Sequence, residues 1–149
     1  MIDYLFIKKS SFSEDDLRKF IESQDQNFKP PISNKIEITK YSKKLFSLAE
    51  NLISVYNNKL IGVCSFYCQP EKNDYAFLSF LAVNNSLKGK GIAKQMLKRM
   101  ILFCKESGIK GIKTSTWKGN KAVKLYHDQG FVELDSENDY RVELILTFS

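Results

Sequence analysis

Apolar residues recur along this chain with two periods, one helical and one alternating, and the switches between them mark its elements. Tyr4, Leu5, Phe6 and Ile7 open a short strand over residues 4–8. Ser13 followed by Asp16, with Glu14 and Asp15 between them, is a capping-box start in which the acids also suit a helix N-terminus. Leu17, Phe20 and Ile21 then share one helical stripe that should run to about Asn27. Pro30-Pro31 requires an extended segment, because proline removes donors and restricts the residue before it. Ser33 is placed to cap a second helix; residues 36–39 alternate, and Tyr41, Leu45, Leu48 and Ala49 return to helical spacing, predicting a helix over 41–49.

The pattern turns β-rich after Glu50. Residues 52–56 and 60–68 read as strands joined by Asn57-Asn58-Lys59, a hairpin signal. After a polar turn at 69–74, residues 76–83 form a nearly continuous apolar run broken by Ser79, which predicts a central strand buried on both faces. A helix over 91–105, a strand over 109–116, a helix over 121–129 and a closing strand pair at 131–134 and 140–148 complete the chain. No repeat or low-complexity tract interrupts it. Strands alternating with helices predict a mixed α/β layer structure.

Composition narrows this without changing it. A chain of 149 residues is the size of one domain, and it can bury roughly 68–70% of its unfolded surface. With 43% hydrophobic and 27% charged residues, 3 Pro and 7 Gly, neither a disordered nor a collagen-like chain fits. Cys64, Cys68 and Cys104 are an odd number of thiols, which predicts reduced cysteines and a cytoplasmic location. One histidine leaves too few ligands for a zinc site, so no metal is expected. The first residues carry an early acid and a short apolar run, which predicts neither a signal peptide nor a membrane span. A net charge of +6 suits an anionic ligand, either a phosphorylated cofactor or nucleic acid.

The candidate chemistry lies where the strand ending Leu81-Ala82-Val83 runs through Lys88-Gly89-Lys90-Gly91 into a helix. Two glycines let backbone N–H groups converge with no side chain in the way, and the helix start adds unpaired donors and partial positive charge. This is a phosphate or pyrophosphate cradle. It is not the dinucleotide fingerprint, whose third glycine would stand at Lys94, nor a Walker loop, since Ile92-Ala93 follows Gly91. Lys88, Lys90 and Lys94 flank the cradle, while Ile92, Met96, Leu97, Met100 and Cys104 form the apolar stripe of the helix. Further on, Ala122, Leu125 and Tyr126 share a helical face, Gly130 suits a left-handed stop and Phe131 re-enters the core.

Together these segments resemble the GNAT-type N-acetyltransferases, which use acetyl-CoA. Their loop, Gln/Arg-x-x-Gly-x-Gly/Ala, is matched by Lys88-Gly89-Lys90-Gly91-Ile92-Ala93. Their late helix, Asn-x-x-Ala-x-x-Leu-Tyr-x-x-x-Gly-Phe, is matched from Ala122 through Leu125-Tyr126 to Gly130-Phe131, and the match spans about residues 50–134. The resemblance implies a single domain over 1–149 with a central, mixed but mostly antiparallel sheet of six to seven strands and about four helices. It implies that backbone amides from Gly89 to Lys94 hold the CoA pyrophosphate and that Leu81, Ala82 and Val83 take the pantetheine arm as an added strand. An amide near Val83 would polarise the acetyl carbonyl, Asn120 would contact the arm, and Tyr126 would protonate the departing thiolate.

Three departures qualify the resemblance. Lys88 replaces Gln or Arg; Gly119 stands at the Asn position with Asn120 one place later; and Phe77 occupies the place where many relatives carry a strand Glu. Substitutes for that base are Ser79 through a water, Asp74 or Tyr67 at the mouth, Cys68 and His127. The segment 28–33 and Phe28, Tyr41 and Tyr67 are candidates for the acceptor pocket, with a small-molecule amine, an amino sugar among them, as the expected acceptor. Alternatives are a peptide or protein N-acetyltransferase and a non-catalytic acyl-CoA-binding module. A nucleic-acid partner is disfavoured because no basic strand interleaved with aromatics is present. A homodimer is compatible with the closing strand.

Overall fold

A computed structural model describes residues 1–135 and 139–149. In chain order the elements are β1 (Asp3–Phe6), α1 (Glu14–Gln24), α2 (Ile38–Leu48), β2 (Glu50–Tyr56), β3 (Lys59–Tyr67), β4 (Tyr75–Val83), α3 (Ile92–Ser107), β5 (Gly111–Trp117), α4 (Ala122–Asp128), β6 (Val132–Leu134) and β7 (Arg141–Thr147). The seven strands make one sheet in the order β1-β2-β3-β4-β5-β7-β6. Every neighbouring pair is antiparallel except β4 and β5, which are parallel. No helix among the described residues is long and apolar enough to cross a membrane.

Local chemistry explains most boundaries. The capping box of α1 forms as the sequence predicts: the Asp16 amide donates to Ser13 Oγ and the Ser13 amide donates to Asp16 Oδ2 at 2.8 Å. Asn57 and Asn58 both adopt positive φ, 49° and 61°, which is the two-residue hairpin geometry asparagine tolerates. Ser33, expected to cap α2, does not. It lies in a 3-10 turn and gives its amide and hydroxyl to the Asp25 carboxylate at 2.9 and 2.5 Å, while Glu37 starts α2. Asp25 is buried, and a buried carboxylate requires such donors, so it takes Ser33 away from the helix.

The two faces of the sheet carry separate cores. On one, α3 and Tyr126 of α4 pack Met96, Leu97, Met100 and Phe131 against Cys64, Phe66, Leu78 and Ile112. On the other, α1 and α2 pack Leu17, Ile21 and Leu45 against Ile53, Val63 and Phe80. These two helices lie mainly over β2 and β3 and reach β4 at Ser79 and Phe80. The apolar run over 76–83 is not buried on both faces as its composition predicts: Phe77 is 44% exposed and Ser79 and Leu81 are half-buried.

Two irregularities in β4 open one of its edges. Ser65 pairs with Phe80 and Phe66 with Leu78, so Ser79 is an extra residue, a β-bulge. Ala76 and Leu78 face α3, whereas beyond the bulge Phe80 faces α1 and α2. The parallel pairing of β4 with β5 runs from Tyr75↔Gly111 to Leu78↔Thr114 and stops there, although β4 continues to Val83 and β5 to Trp117. The strands thus fork at the bulge.

Below the fork the packing is tight. A Cβ on Gly111 would overlap the Leu146 carbonyl oxygen and stand 2.8 Å from the Tyr75 ring. Gly111→Ala should therefore destabilise the fold by ~1–3 kcal/mol, the usual penalty of overpacking. A lowered urea midpoint at unchanged slope is the expected reading.

Candidate active site

The loop leading to α3 is built to expose its backbone. Asn84 Oδ1 accepts the Ser86 amide at 3.0 Å, and Asn27 Nδ2 reaches across to Asn85 Oδ1 at 2.8 Å, tying the loop to the 3-10 turn that follows α1. Gly89 and Gly91 then take φ of +82° and +79°, a region any L side chain enters under strain, and a Cβ at either would project into open space. Gly91 is the N-cap of α3 and offers no side-chain cap, and the helical ladder begins with the Gln95 amide on the Gly91 carbonyl. The amides of Ile92, Ala93 and Lys94 are therefore the free N-terminal donors of a 16-residue helix. Ile92 is buried, so only its backbone serves the loop, while Lys88, Lys90 and Lys94 stand exposed around it. This geometry fits a pyrophosphate.

Beside the loop lies the fork. On one edge β4 is paired with β3 through Val83; on the other, 79–83 face the gap left by β5. At the apex the Thr114 hydroxyl donates to the Leu78 carbonyl at 2.9 Å. The Tyr126 hydroxyl lies beside the Thr114 side chain. Tyr126 is 4% exposed, its ring 5.4 Å from that of Phe131. Burial raises its pKa, outweighing the opposing effect of Thr114, so the phenol stays protonated at neutral pH. Thr114 is a candidate that sequence reading misses, because it is one of three consecutive hydroxyl residues in β5 and no local pattern singles it out.

The α1–α2 face of the fork collects the acceptor candidates. Phe28 stacks on Phe80 of β4 at 5.4 Å and meets Trp117 of β5 edge-on at 5.4 Å, so it spans the diverging strands. Its place is set by the Asp25–Ser33 clasp, which closes the segment carrying it. Tyr41 of α2 sets its hydroxyl 2.7 Å from Ser79 Oγ and 3.3 Å from the Ser79 carbonyl. Burial pushes the Tyr41 pKa up to about 12, the Ser79 bond opposes this, and Tyr67 adds to it. Tyr67 is itself raised by burial, with Lys44 Nζ 5.9 Å above its ring. Sequence spacing does not point to Trp117, whose role emerges only through Phe28.

The remaining candidates lie elsewhere. Asn120 donates to Thr116 Oγ1 at 2.7 Å and accepts the Ala122 amide at 3.1 Å, so it anchors the start of α4. Asp74 pairs with Lys110, Cys68 Sγ is 3.3 Å from Ser107 Oγ, and exposed His127 lies 3.4 Å from Glu133. None of these three partners belongs to the fork.

Comparison with known proteins agrees with this geometry. The model of the acetyltransferase (GNAT) family matches residues 14–131. An L-2,4-diaminobutyric acid acetyltransferase of Vibrio cholerae is 32% identical over 84 residues, 53% of this chain and 49% of that protein. The chain thus spans about half the length of that relative. The solved ribosomal-protein-S18-alanine N-acetyltransferase of Escherichia coli superposes with a TM-score of 0.77 at 18% identity, covering 100% of this chain and 95% of its own. A chain of the NatC complex bound to Gag peptide and CoA gives a TM-score of 0.77 at 23% identity, with 99% of each chain covered. With the forked parallel pair, the uncapped glycine loop and the family match over most of its length, this chain belongs to the acetyltransferase (GNAT) family.

Proposed function

We propose that this protein transfers an acetyl group from acetyl-CoA to a primary amine of a small molecule, an amino sugar among the candidates. The observation that carries the reading is the fork: an open strand edge at 79–83 runs from the uncapped amides of α3 to the hydroxyl pair of Thr114 and Tyr126. The amides of the Gly89–Gly91 turn and the first turn of α3 would hold the pyrophosphate, with Lys88, Lys90 and Lys94 adding charge. Leu81, Ala82 and Val83 would receive the pantetheine by strand addition, and an amide near Val83 would stabilise the oxygen on which charge builds. Acetyl-CoA supplies an activated thioester.

In this reading the amine nitrogen attacks the thioester carbon from the α1–α2 face, a C–N bond forms and the C–S bond breaks. Tyr126 donates its proton to the departing sulfur, and the proton shed by nitrogen passes to solvent, from which the phenol is restored. Tyr126 is supported by its protonated state and its position at the apex. Asn120 is proposed to hold the start of α4, and so Tyr126, in register. Phe28, Tyr41 and Tyr67 would frame the acceptor, with Phe28 narrowing the mouth toward small acceptors. The diaminobutyric acid relative favours a small amine, whereas a ribosomal-protein-alanine N-acetyltransferase of Haemophilus influenzae, also 32% identical over 90 residues, and the Escherichia coli structural neighbour are named for protein substrates.

The test is calorimetric titration with acetyl-CoA, followed by thiol-release assays. The acceptors are nucleotide-linked amino sugars, diamino acids, N-terminal peptides and polyamines. Saturable one-site binding and turnover of a small amine are expected. Absence of binding by folded protein rejects the cofactor assignment, and turnover confined to peptides rejects the small-molecule acceptor.

A further inference from the structure

We propose that the Tyr41–Ser79 hydroxyl pair receives the acceptor as an already neutral amine, and that this restricts the protein to weakly basic primary amines. This deepens the acetyltransferase reading and rests on it.

Strand alternation points Ser79 to the α2 face, where its Oγ meets the Tyr41 hydroxyl at 2.7 Å, and the bulge sets Phe80 on the same face beside it. Two hydroxyls and one carbonyl share two protons here, so whichever oxygen donates, unspent lone pairs remain on the pair. Those lone pairs can accept an N–H. A neutral amine so held keeps its nitrogen lone pair free to face the fork; an ammonium ion has none to offer. The pair also supplies no counter-charge, so an ammonium entering the half-buried mouth would lose hydration without compensation.

The surrounding charges act in the same direction. On α2, Lys44 lies over Tyr67 of β3, and Glu37 at the helix start is exposed and 3.8 Å from Lys40. On β5, Lys113 stands over the Tyr75 ring of β4 at 4.9 Å. On β7, Arg141 Nε donates to Ser115 Oγ at 3.0 Å, and exposed Glu143 lies in register with Ser115. Before α2, Asp25 is committed to Ser33. The segments α2, β3, β4 and β5 contain no Asp, Glu or His, which leaves Glu143 as the carboxylate to test. The charged residues of these four elements are thus all lysines, which disfavours a charged acceptor.

The consequence is quantitative. At pH 7.5 an α-amine, with a pKa of about 7.8, is roughly one-third neutral, whereas a lysine-type amine, at about 10.4, is neutral in roughly one molecule in 800. Selection by protonation alone then favours the α-amine a few hundredfold.

The experiment measures kcat/KM with acetyl-CoA between pH 6 and 9.5 for three probes: glucosamine, alanylalanine amide and N-acetyl-lysine amide. The expected result is unit slope in log kcat/KM against pH, levelling near pH 8 for the first two and still rising at pH 9.5 for the third. Tyr41 does not titrate in this window. Glu143→Gln should leave all three profiles in place. Tyr41→Phe should lower kcat/KM about tenfold or more while the KM for acetyl-CoA and the position of the bend stay unchanged, and Ser79→Ala should do the same. A shared inflection that ignores acceptor basicity, a profile moved by Glu143→Gln, or full activity in folded Tyr41→Phe and Ser79→Ala would each overturn the proposal. Acetyl-CoA binding without turnover of any probe at high concentration would overturn it as well. Failure to bind acetyl-CoA at all would instead remove the reading beneath it.

Discussion

Tyr126→Phe should lower kcat by ~10²-fold or more, the contribution of a positioned acid or donor at a leaving group, while the affinity for acetyl-CoA is retained. The ring fills the same space between Phe131 and the sheet, so the substitution removes a hydroxyl and its proton but no packing. Thr114 keeps its bond to the Leu78 carbonyl, so the apex of the fork should hold its shape. Because burial raises the Tyr126 pKa, the wild-type phenol remains protonated throughout the assay range, and no falling limb from its ionisation should appear below pH 10. Isothermal titration separates binding from chemistry. Equal turnover in the variant would assign protonation of the sulfur to solvent and leave Tyr126 as a core residue.

Replacing both Gly89 and Gly91 by Val should abolish measurable acetyl-CoA binding. Each site needs positive φ, which a β-branched residue adopts only at a cost of ~1–2 kcal/mol or more. The side chains would also project into the open space above the amides, where a pyrophosphate would sit. Neither Cβ would meet a protein atom within 4 Å, so the penalty on folding is strain alone and the protein should still fold. Calorimetry alongside a thermal melt reads both effects. Undiminished binding by the double variant would place the pyrophosphate elsewhere on the chain.

The geometry of the glycine loop was legible because it is local. Glycines at two positions, a following helix and flanking lysines are all consecutive in sequence, and the orphan amides of a helix start need no distant partner to exist. The same holds for the α1 capping box and the Asn57-Asn58 turn, both of which the sequence anticipates. Ser33 misleads for the complementary reason: its partner, Asp25, is eight residues away and buried by tertiary packing, so a local capping preference loses to the cost of an unpaired carboxylate. Phe77 misleads in a similar way, since its apolar strand suggests burial but the fold leaves its side chain exposed.

The chain by itself determined the order of elements, the glycine loop ahead of α3, the position of Tyr126 on its helix and the absence of a carboxylate from the central strand. Each of these is carried by residue type and short-range spacing. Tertiary structure alone decided where β4 and β5 part, that Ser79 is a bulge aimed at Tyr41, that Thr114, bonded to Leu78, stands beside Tyr126, and that Phe28 spans the gap to Trp117. Strand register and the packing of α1 and α2 on the sheet bring together groups up to 89 positions apart, Phe28 and Trp117, and no local pattern encodes such a meeting. Register is set by the sum of core contacts on both faces of the sheet, and a one-residue slip of the kind seen at Ser79 redirects every side chain beyond it.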